Sequence, residues 1–313
     1  MLDERNKMNG FLLLILANMI WGGNFVIGRM GVDYFPPVFF SLMRWIIAFL
    51  VLTPFMIKQL KHDLAILKKH KRILLLLAVT GVAGYNTIIY FALQYTTSIN
   101  ASVVNSTSPL CIALLAVFIL REKLLAHQAA GIILSVFGIL FVISKGSIDV
   151  FLSWKINAGD FYVLAAVFLW ALYSVIGKKY ADILPLLSAF YVTVFLGILL
   201  LAPISMFEYI WMEAAKPVFT LSSIGILLYV GFLASIMAFL SWNFGVRIIG
   251  AAKAGVFLNL LPVFAIIFAL GFTQEKLYFY QVIGGGIVII GVVLSSRKSF
   301  RLKNHSQKNN FSA

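Results

Sequence analysis

Pro109–Leu124 reads PLCIALLAVFILREKL, and Pro262–Leu277 reads PVFAIIFALGFTQEKL. Each stretch runs from a proline through an apolar segment to Glu-Lys-Leu with the same spacing, so the chain carries an internal repeat at an offset of 153. The same offset pairs Phe91 with Phe244, Ala101 with Ala254, Gln128 with Gln281, Gly131 with Gly284 and Gly138 with Gly291. Toward the N-terminus a slip of four residues changes the offset to 149. That offset pairs Gly10 with Gly159, Ala17 with Ala166, Trp21 with Trp170, Arg29 with Lys178, Asp33 with Asp182, Pro36 with Pro185 and Pro54 with Pro203. The match extends over most of the chain and divides it into two halves.

What the halves contain follows from composition. Of 313 residues, 62% are hydrophobic and 12% charged, and the mean hydropathy is +0.99. A soluble domain carries about 25% charged residues, so a water-soluble fold is excluded. The apolar residues fall into runs of membrane-spanning length, near 10–30, 35–57, 72–93, 99–120, 127–144, 159–177, 185–207, 221–243, 251–272 and 278–295. The expected fold is an all-α integral membrane protein with ten transmembrane helices. The first run follows Asp3, Glu4, Arg5 and Lys7 and exceeds a signal-peptide core, so it is read as a retained helix.

The net charge of +14 acquires its meaning from position. Nineteen of the 25 Lys and Arg residues lie on one side of the ten spans, in the N-terminal tail, the Lys58–Arg72 loop, the pairs Arg121/Lys123, Lys178/Lys179 and Arg247/Lys253, and the C-terminal tail. The other side holds Arg29, Lys145, Lys155, Lys216 and Lys276, and Arg44 falls within span two. The positive-inside rule puts both termini in the cytoplasm of a cell-membrane protein. No nucleic-acid-binding pattern is present. Cys111 is the single cysteine and the four histidines are scattered, so no disulfide framework, metal site or cofactor is expected.

Because each half has five spans, the second enters the membrane from the opposite side, and the repeats are inverted. The expected organisation is an N-terminal tail 1–9, a first repeat 10–144, an external linker 145–158, a second repeat 159–296 and a basic tail 297–313. Inverted repeats support two near-equivalent conformations around a midplane site, which is how carriers alternate access. Duplication retained only for packing is the competing reading.

The candidate site residues are those that lipid does not tolerate unpaired. Arg44 is the one ionisable residue well inside a span, where insertion costs about 2.5–3.5 kcal/mol. It either faces a cavity and pairs with a substrate carboxylate or an acidic partner, or it bonds to carbonyls of a broken helix or snorkels toward one face. All eleven carboxylates fall in loops or at helix ends, which argues against an intramembrane acid as a proton site. Glu122 and Glu275 end their helices and read most simply as interfacial caps or ion pairs. Asn24, Asn86, Asn105, Asn243 and Asn259, with Trp21, Tyr90, Trp170, Tyr173 and Trp242, would line a cavity suited to a neutral or zwitterionic small solute; helix–helix hydrogen bonding and aromatic belts are the alternative. Pro109 and Pro262 mark matching kinks, either hinges or static shape.

At these residues the sequence resembles the EamA-type transporters of the drug/metabolite transporter superfamily, ten-helix carriers built from two five-helix repeats. The pieces are NMIWGGNF at Asn18–Phe25, Arg44 with the apolar run to Pro54, Ile99–Leu124, LWALYSV around Trp170, and Ala251–Leu277. The resemblance implies a secondary transporter of small metabolites, exporting amino acids or related compounds, with the lipid bilayer as its surroundings and no enzymatic role. Thr193 departs from the pattern by standing where the repeat would place a second Arg44. A channel or lipid-handling protein on the same scaffold is the rival reading, and a homodimer is compatible with the sequence.

Overall fold

The computed structural model describes residues 4–121, 126–147, 157–211, 216–249 and 257–296, and their regular structure is helical throughout. In chain order the helices are α1 Glu4–Gly31, α2 Pro37–Lys69, α3 Lys71–Tyr95, α4 Ser98–Ile119, α5 Ala126–Ile143, α6 Ala158–Lys179, α7 Leu186–Trp211, α8 Leu221–Val246, α9 Leu260–Phe272 and α10 Phe279–Ser296. The first eight are long and apolar enough to cross a bilayer, and α9 and α10 are shorter apolar helices. The ten expected spans are all represented, and the start expected for the ninth, at 251, lies outside the described residues.

One boundary differs by three turns. The second span was expected to end at 57, yet α2 continues to Lys69. The extension is amphipathic: Leu60, Ile66 and Leu67 pack on Ile176, Leu184 and Ala189 of the second half, while its lysines face outward. Tertiary packing carries the helix past the apolar run that marks the membrane.

The packing obeys the repeat. Helix α5 lies along α10, α2 along α7, α1 against α8 and α9, and α6 against α3 and α4. Exchanging each helix for its repeat partner, α1 for α6 through α5 for α10, returns this same set of contacts. The first helix of each half is therefore embedded in the other half, so the repeats are interleaved inverted units. Small residues permit the closest approach: a methyl group on Gly284 would lie 2.9 Å from the Gly138 carbonyl oxygen, and one on Gly138 2.8 Å from that of Gly284.

Two interruptions recur in both halves. Helices α3 and α8 widen into π-helix at Ala78–Tyr85 and Tyr229–Met237, a local expansion frequent at functional sites. Near Pro109, α4 breaks into Ser98–Asn105 and Ser108–Ile119. Proline has no N–H to offer the Asn105 carbonyl, and Ser108 Oγ donates to that oxygen instead, at 2.7 Å. Ser106 and Thr107 likewise donate to the carbonyls of Val103 and Val104. In α9 the Leu258 carbonyl, which Pro262 leaves without its helical donor, takes the Leu261 N–H at 3.1 Å. Both prolines thus sit in the first turn of a helix segment rather than in the middle of a continuous bent helix.

Candidate functional site

The π segments and the α4 break converge on one cavity in the middle of the bundle. It offers about 110 Å³ in which the centre of a water molecule can sit, and residues of α1–α4 and α6–α8 line it together with Leu258 and Leu261. Seven of the eleven residues expected to bind substrate line it: Trp21, Asn24, Arg44, Asn86, Asn105, Trp170 and Tyr173. Pro109 does as well, whereas Pro262 is absent from the wall.

Arg44 is the centre of its polar side and is only 4% exposed. Its Nε donates to Ser235 Oγ at 2.7 Å, and its Nη1 donates to Asn24 Oδ1 at 3.1 Å and Tyr90 Oη at 2.9 Å. Ser235 in turn donates to the Val230 carbonyl five residues back in the π segment, at 2.8 Å. That bond leaves a lone pair of Ser235 for the arginine. All three acceptors are neutral, and among the described residues no carboxylate lies within ion-pair distance of Arg44 and Nη2 makes no hydrogen bond. No acidic side chain lines the cavity among the described residues. A buried cation held by neutral groups alone retains its full field toward the open space, and low-dielectric walls amplify that field.

The remaining wall is aromatic. The Trp170 ring lies 5.0 Å from that of Tyr85 and 5.3 Å from that of Tyr173, centroid to centroid. Across from it Phe190 stacks on Phe239 at 4.0 Å and meets Trp45 edge-on at 6.3 Å. Tyr85 Oη donates to Asn105 Oδ1 at 3.1 Å, and the indoles of Trp45 and Trp21 donate to the Val82 and Ala234 carbonyls. These bonds satisfy the polar handles of the rings and leave their faces to the cavity. Gly81 makes room for this arrangement, because a Cβ there would run into the Tyr173 ring.

Four expected site residues stand behind the wall or away from it. Tyr90 is fully buried and holds Arg44 from the second layer. Trp242 packs on Trp21 with ring centroids 5.7 Å apart. The Asn243 amide donates to the Phe239 carbonyl within α8, and Asn259 precedes α9 as its N-cap residue. Conversely, Trp45, Phe190, Ser235, Phe239 and Leu258 line the cavity without having been singled out in the sequence. Only Ser235 carried a usable signal. At an offset of 149 it is the counterpart of Asn86, and each donates to the carbonyl five residues earlier, Asn86 to Gly81 and Ser235 to Val230.

The ends of the helices away from the basic loops are tied together by polar bonds between the halves. Glu275 accepts the backbone N–H groups of Ser98 and Ile99 at 2.9 and 3.1 Å, together with the Ser98 hydroxyl. Glu208 accepts those of Val38 and Phe39 at 3.0 Å each. Each carboxylate thereby fills orphan donors at a helix N-terminus, where negative charge is stabilised. Buried Asp160 accepts from Thr96 and Asn100, and the Val218 N–H reaches the Tyr34 carbonyl at 2.9 Å. Glu122, the repeat counterpart of Glu275, lies outside the described residues. Among the described residues no cluster of three or more His, Cys, Asp or Glu side chains is placed to hold a metal.

Comparison with known proteins agrees with this architecture. Residues 8–144 and 157–297 each match the EamA-like transporter family. The chain is 32% identical over 297 residues to the uncharacterized transporter YyaM of Bacillus subtilis (strain 168), covering 92% of this chain and 94% of that protein. It is 31% identical over 292 residues to an uncharacterized transporter of Archaeoglobus fulgidus, covering 92% and 97%. A protein crystal structure superposes with a TM-score of 0.57 at 18% identity, covering 94% of this chain and 96% of that one, a likeness of fold. The chain belongs to the EamA-like transporter family and is a multi-pass membrane transporter.

Proposed function

We propose that this family member is a secondary carrier which exports small carboxylate-bearing metabolites, amino acids or related compounds, by alternating access across the cytoplasmic membrane. The observation that supports the reading most directly is Arg44. A guanidinium buried within a membrane-spanning helix, fixed by three neutral acceptors and with a nitrogen left over at a cavity, is arranged to receive an anion.

The rest of the geometry supports the same reading. Arg44 belongs to the first repeat and Ser235 to the second, so the group that meets the substrate also bridges the two halves. The polar bonds of Glu208, Glu275 and Asp160 close the lysine-poor end. Tyr173, Phe190, Phe239 and Leu258 extend the cavity wall toward the basic end. By the positive-inside rule this is a state facing the cytoplasm, loaded from inside and discharged after the halves rock. In such rocking α1 and α6 each travel with the half in which they are embedded rather than with their own repeat, 10–144 or 159–296, and Pro109 and Pro262, each opening a helix segment at a break, act as hinges.

Counterflow into proteoliposomes tests the proposal. Vesicles preloaded with an unlabelled pool of amino acids and related carboxylates are expected to take up labelled members of the pool faster than empty vesicles, with saturation. Uptake that neither saturates nor responds to the preloaded pool would assign the protein to channels instead.

A further inference from the structure

We infer that the cavity reads a carboxylate head and an apolar tail but not an ammonium group, so that the preferred ligands are amphipathic monocarboxylate anions rather than zwitterions. The inference rests on the carrier reading of the same cavity and narrows its substrate class.

Three observations carry it. First, the cavity has a positive pole with no negative counterpart. Arg44 is cationic, and no acidic side chain lines the space among the described residues. An α-ammonium would therefore lose its hydration next to a like charge with no carboxylate to compensate it. The aromatic faces and the amide oxygen of Asn86 are neutral, and they offset such a penalty only in part. Second, the polar groups are concentrated on one repeat. The polar side chains of the wall, Asn24, Arg44, Asn86 and Asn105 among them, come from the first repeat together with apolar rings such as Trp21 and Trp45, whereas the second repeat adds a single aliphatic hydroxyl, Ser235, to a wall that is otherwise aromatic and aliphatic. Third, the acceptors around Arg44 are already engaged with it, so its free Nη2 is the strong unmatched donor and fixes where the head sits. A ligand anchored there directs its tail onto the aromatic and aliphatic wall of the second repeat, where burial of each methylene adds affinity.

A matched set of four compounds tests this on the purified full-length protein in detergent, titrated by intrinsic tryptophan fluorescence and by shift of the unfolding midpoint. The set is 4-methylpentanoate, leucine, 3-methylbutylamine and acetate, which keep or remove the ammonium, the carboxylate and the tail in turn. 4-Methylpentanoate is expected to bind about tenfold more tightly than leucine. The amine and acetate are each expected to be weaker than 4-methylpentanoate by at least about tenfold. Leucine binding as tightly as 4-methylpentanoate, or acetate matching it, would overturn the inference, as would an absence of binding by all four to folded protein. Counterflow with the mixed pool of amino acids and related carboxylates is a separate readout: saturable, trans-stimulated uptake alongside any of these outcomes would sink the inference and leave the carrier reading in place. Two variants sharpen the result. Trp170→Ala is expected to erase most of the preference for 4-methylpentanoate over acetate while keeping the preference for acid over amine. Arg44→Gln is expected to do the reverse, and loss of both preferences in both variants would contradict the two-pole arrangement.

Discussion

The wall that the first repeat gives to the cavity and the wall that the second gives are built on one backbone plan with different chemistry. Aligned pairs run Asn24 with Tyr173, Arg44 with Thr193, Asn105 with Leu258 and Ser108 with Leu261. In three of these four the polar member belongs to the first repeat and its aligned counterpart in the second is aromatic or aliphatic; Arg44 is matched by Thr193, which is not part of the wall, while Trp21 with Trp170 and Asn86 with Ser235 keep their character. At the lysine-poor end the direction reverses. Asp160, Glu208 and Glu275, all of the second repeat, give their carboxylates to Thr96 and Asn100, to the α2 N-terminus and to the α4 N-terminus of the first. Inverted repeats need similar backbones to exchange conformations. They do not need similar side chains, and here one half specialises in holding charge at the centre while the other supplies the carboxylates that close one end.

The largest effect is expected from removing the charge that defines the first wall. Arg44→Gln should lower the counterflow rate of carboxylate substrates by about 30- to 100-fold, the equivalent of one charge-assisted hydrogen bond. The protein should still insert, since the change removes a buried charge rather than creating one. Retained transport in folded Arg44→Gln would refute the binding role of the arginine.

Asn105→Leu gives the first repeat the side chain that the second has at the aligned position, Leu258. It leaves the Tyr85 hydroxyl without its acceptor and frees that ring to shift against Trp170. A roughly tenfold loss of transport is expected, read from initial counterflow rates, while Leu258→Asn should weaken binding of long-tailed substrates more than short ones. Equal behaviour of both variants toward all tails would show that the two walls are not specialised.

How much of this was legible in the sequence follows from the same contrast. Polar residues inside apolar runs announce themselves because lipid excludes unpaired donors and acceptors, so Asn24, Arg44, Asn86 and Asn105 were readable. Phe190, Phe239 and Leu258 were not, since a phenyl or isobutyl group facing a cavity looks the same in sequence as one facing lipid. Tyr90 was recognised as a candidate, but its depth in the second layer depends on packing against Phe40, 4.3 Å away between ring centroids. The ten spans and the repeat were readable because hydropathy and spacing encode them. The π segments carry no period of their own at this length, and the extension of α2 to Lys69 is decided by contacts with α6 and α7. Glu275 was read as an interfacial cap or an ion pair at its own helix end; in the structure its carboxylate accepts the first N–H groups of α4, a helix of the other half.

Ser235 sharpens the comparison further, because it is the polar member that the second repeat adds to the Arg44 site. Ser235→Ala removes the acceptor of Arg44 Nε and the donor to the Val230 carbonyl. The arginine keeps Asn24 and Tyr90, both on the first repeat. Transport is expected to fall by about three- to tenfold, the equivalent of one hydrogen bond. If the coupling between halves runs through this bond, the loss should appear in the maximal rate more than in the half-saturating concentration. A change confined to the latter would reduce Ser235 to a positioning group for the head.

Glu208→Gln probes the opposite direction of support and is expected to have the smallest effect on transport. The amide keeps one acceptor oxygen, so one of the Val38 and Phe39 N–H groups loses its partner, and the charge at the α2 N-terminus disappears. The expected cost is about 1–2 kcal/mol of stability, seen as a lower unfolding midpoint in detergent. Binding preferences among carboxylates should stay unchanged because Glu208 is not part of the cavity wall. The two outcomes separate the roles of the walls: a carboxylate that only caps α2 changes stability alone. One that holds the lysine-poor end shut also speeds the appearance of the other conformation, measurable as faster labelling of a cysteine placed at Val38 on that face. Glu208 belongs to the second repeat and the helix it caps to the first, so faster labelling in Glu208→Gln would make this bond part of the transport cycle, whereas unchanged labelling would confine it to stabilising α2.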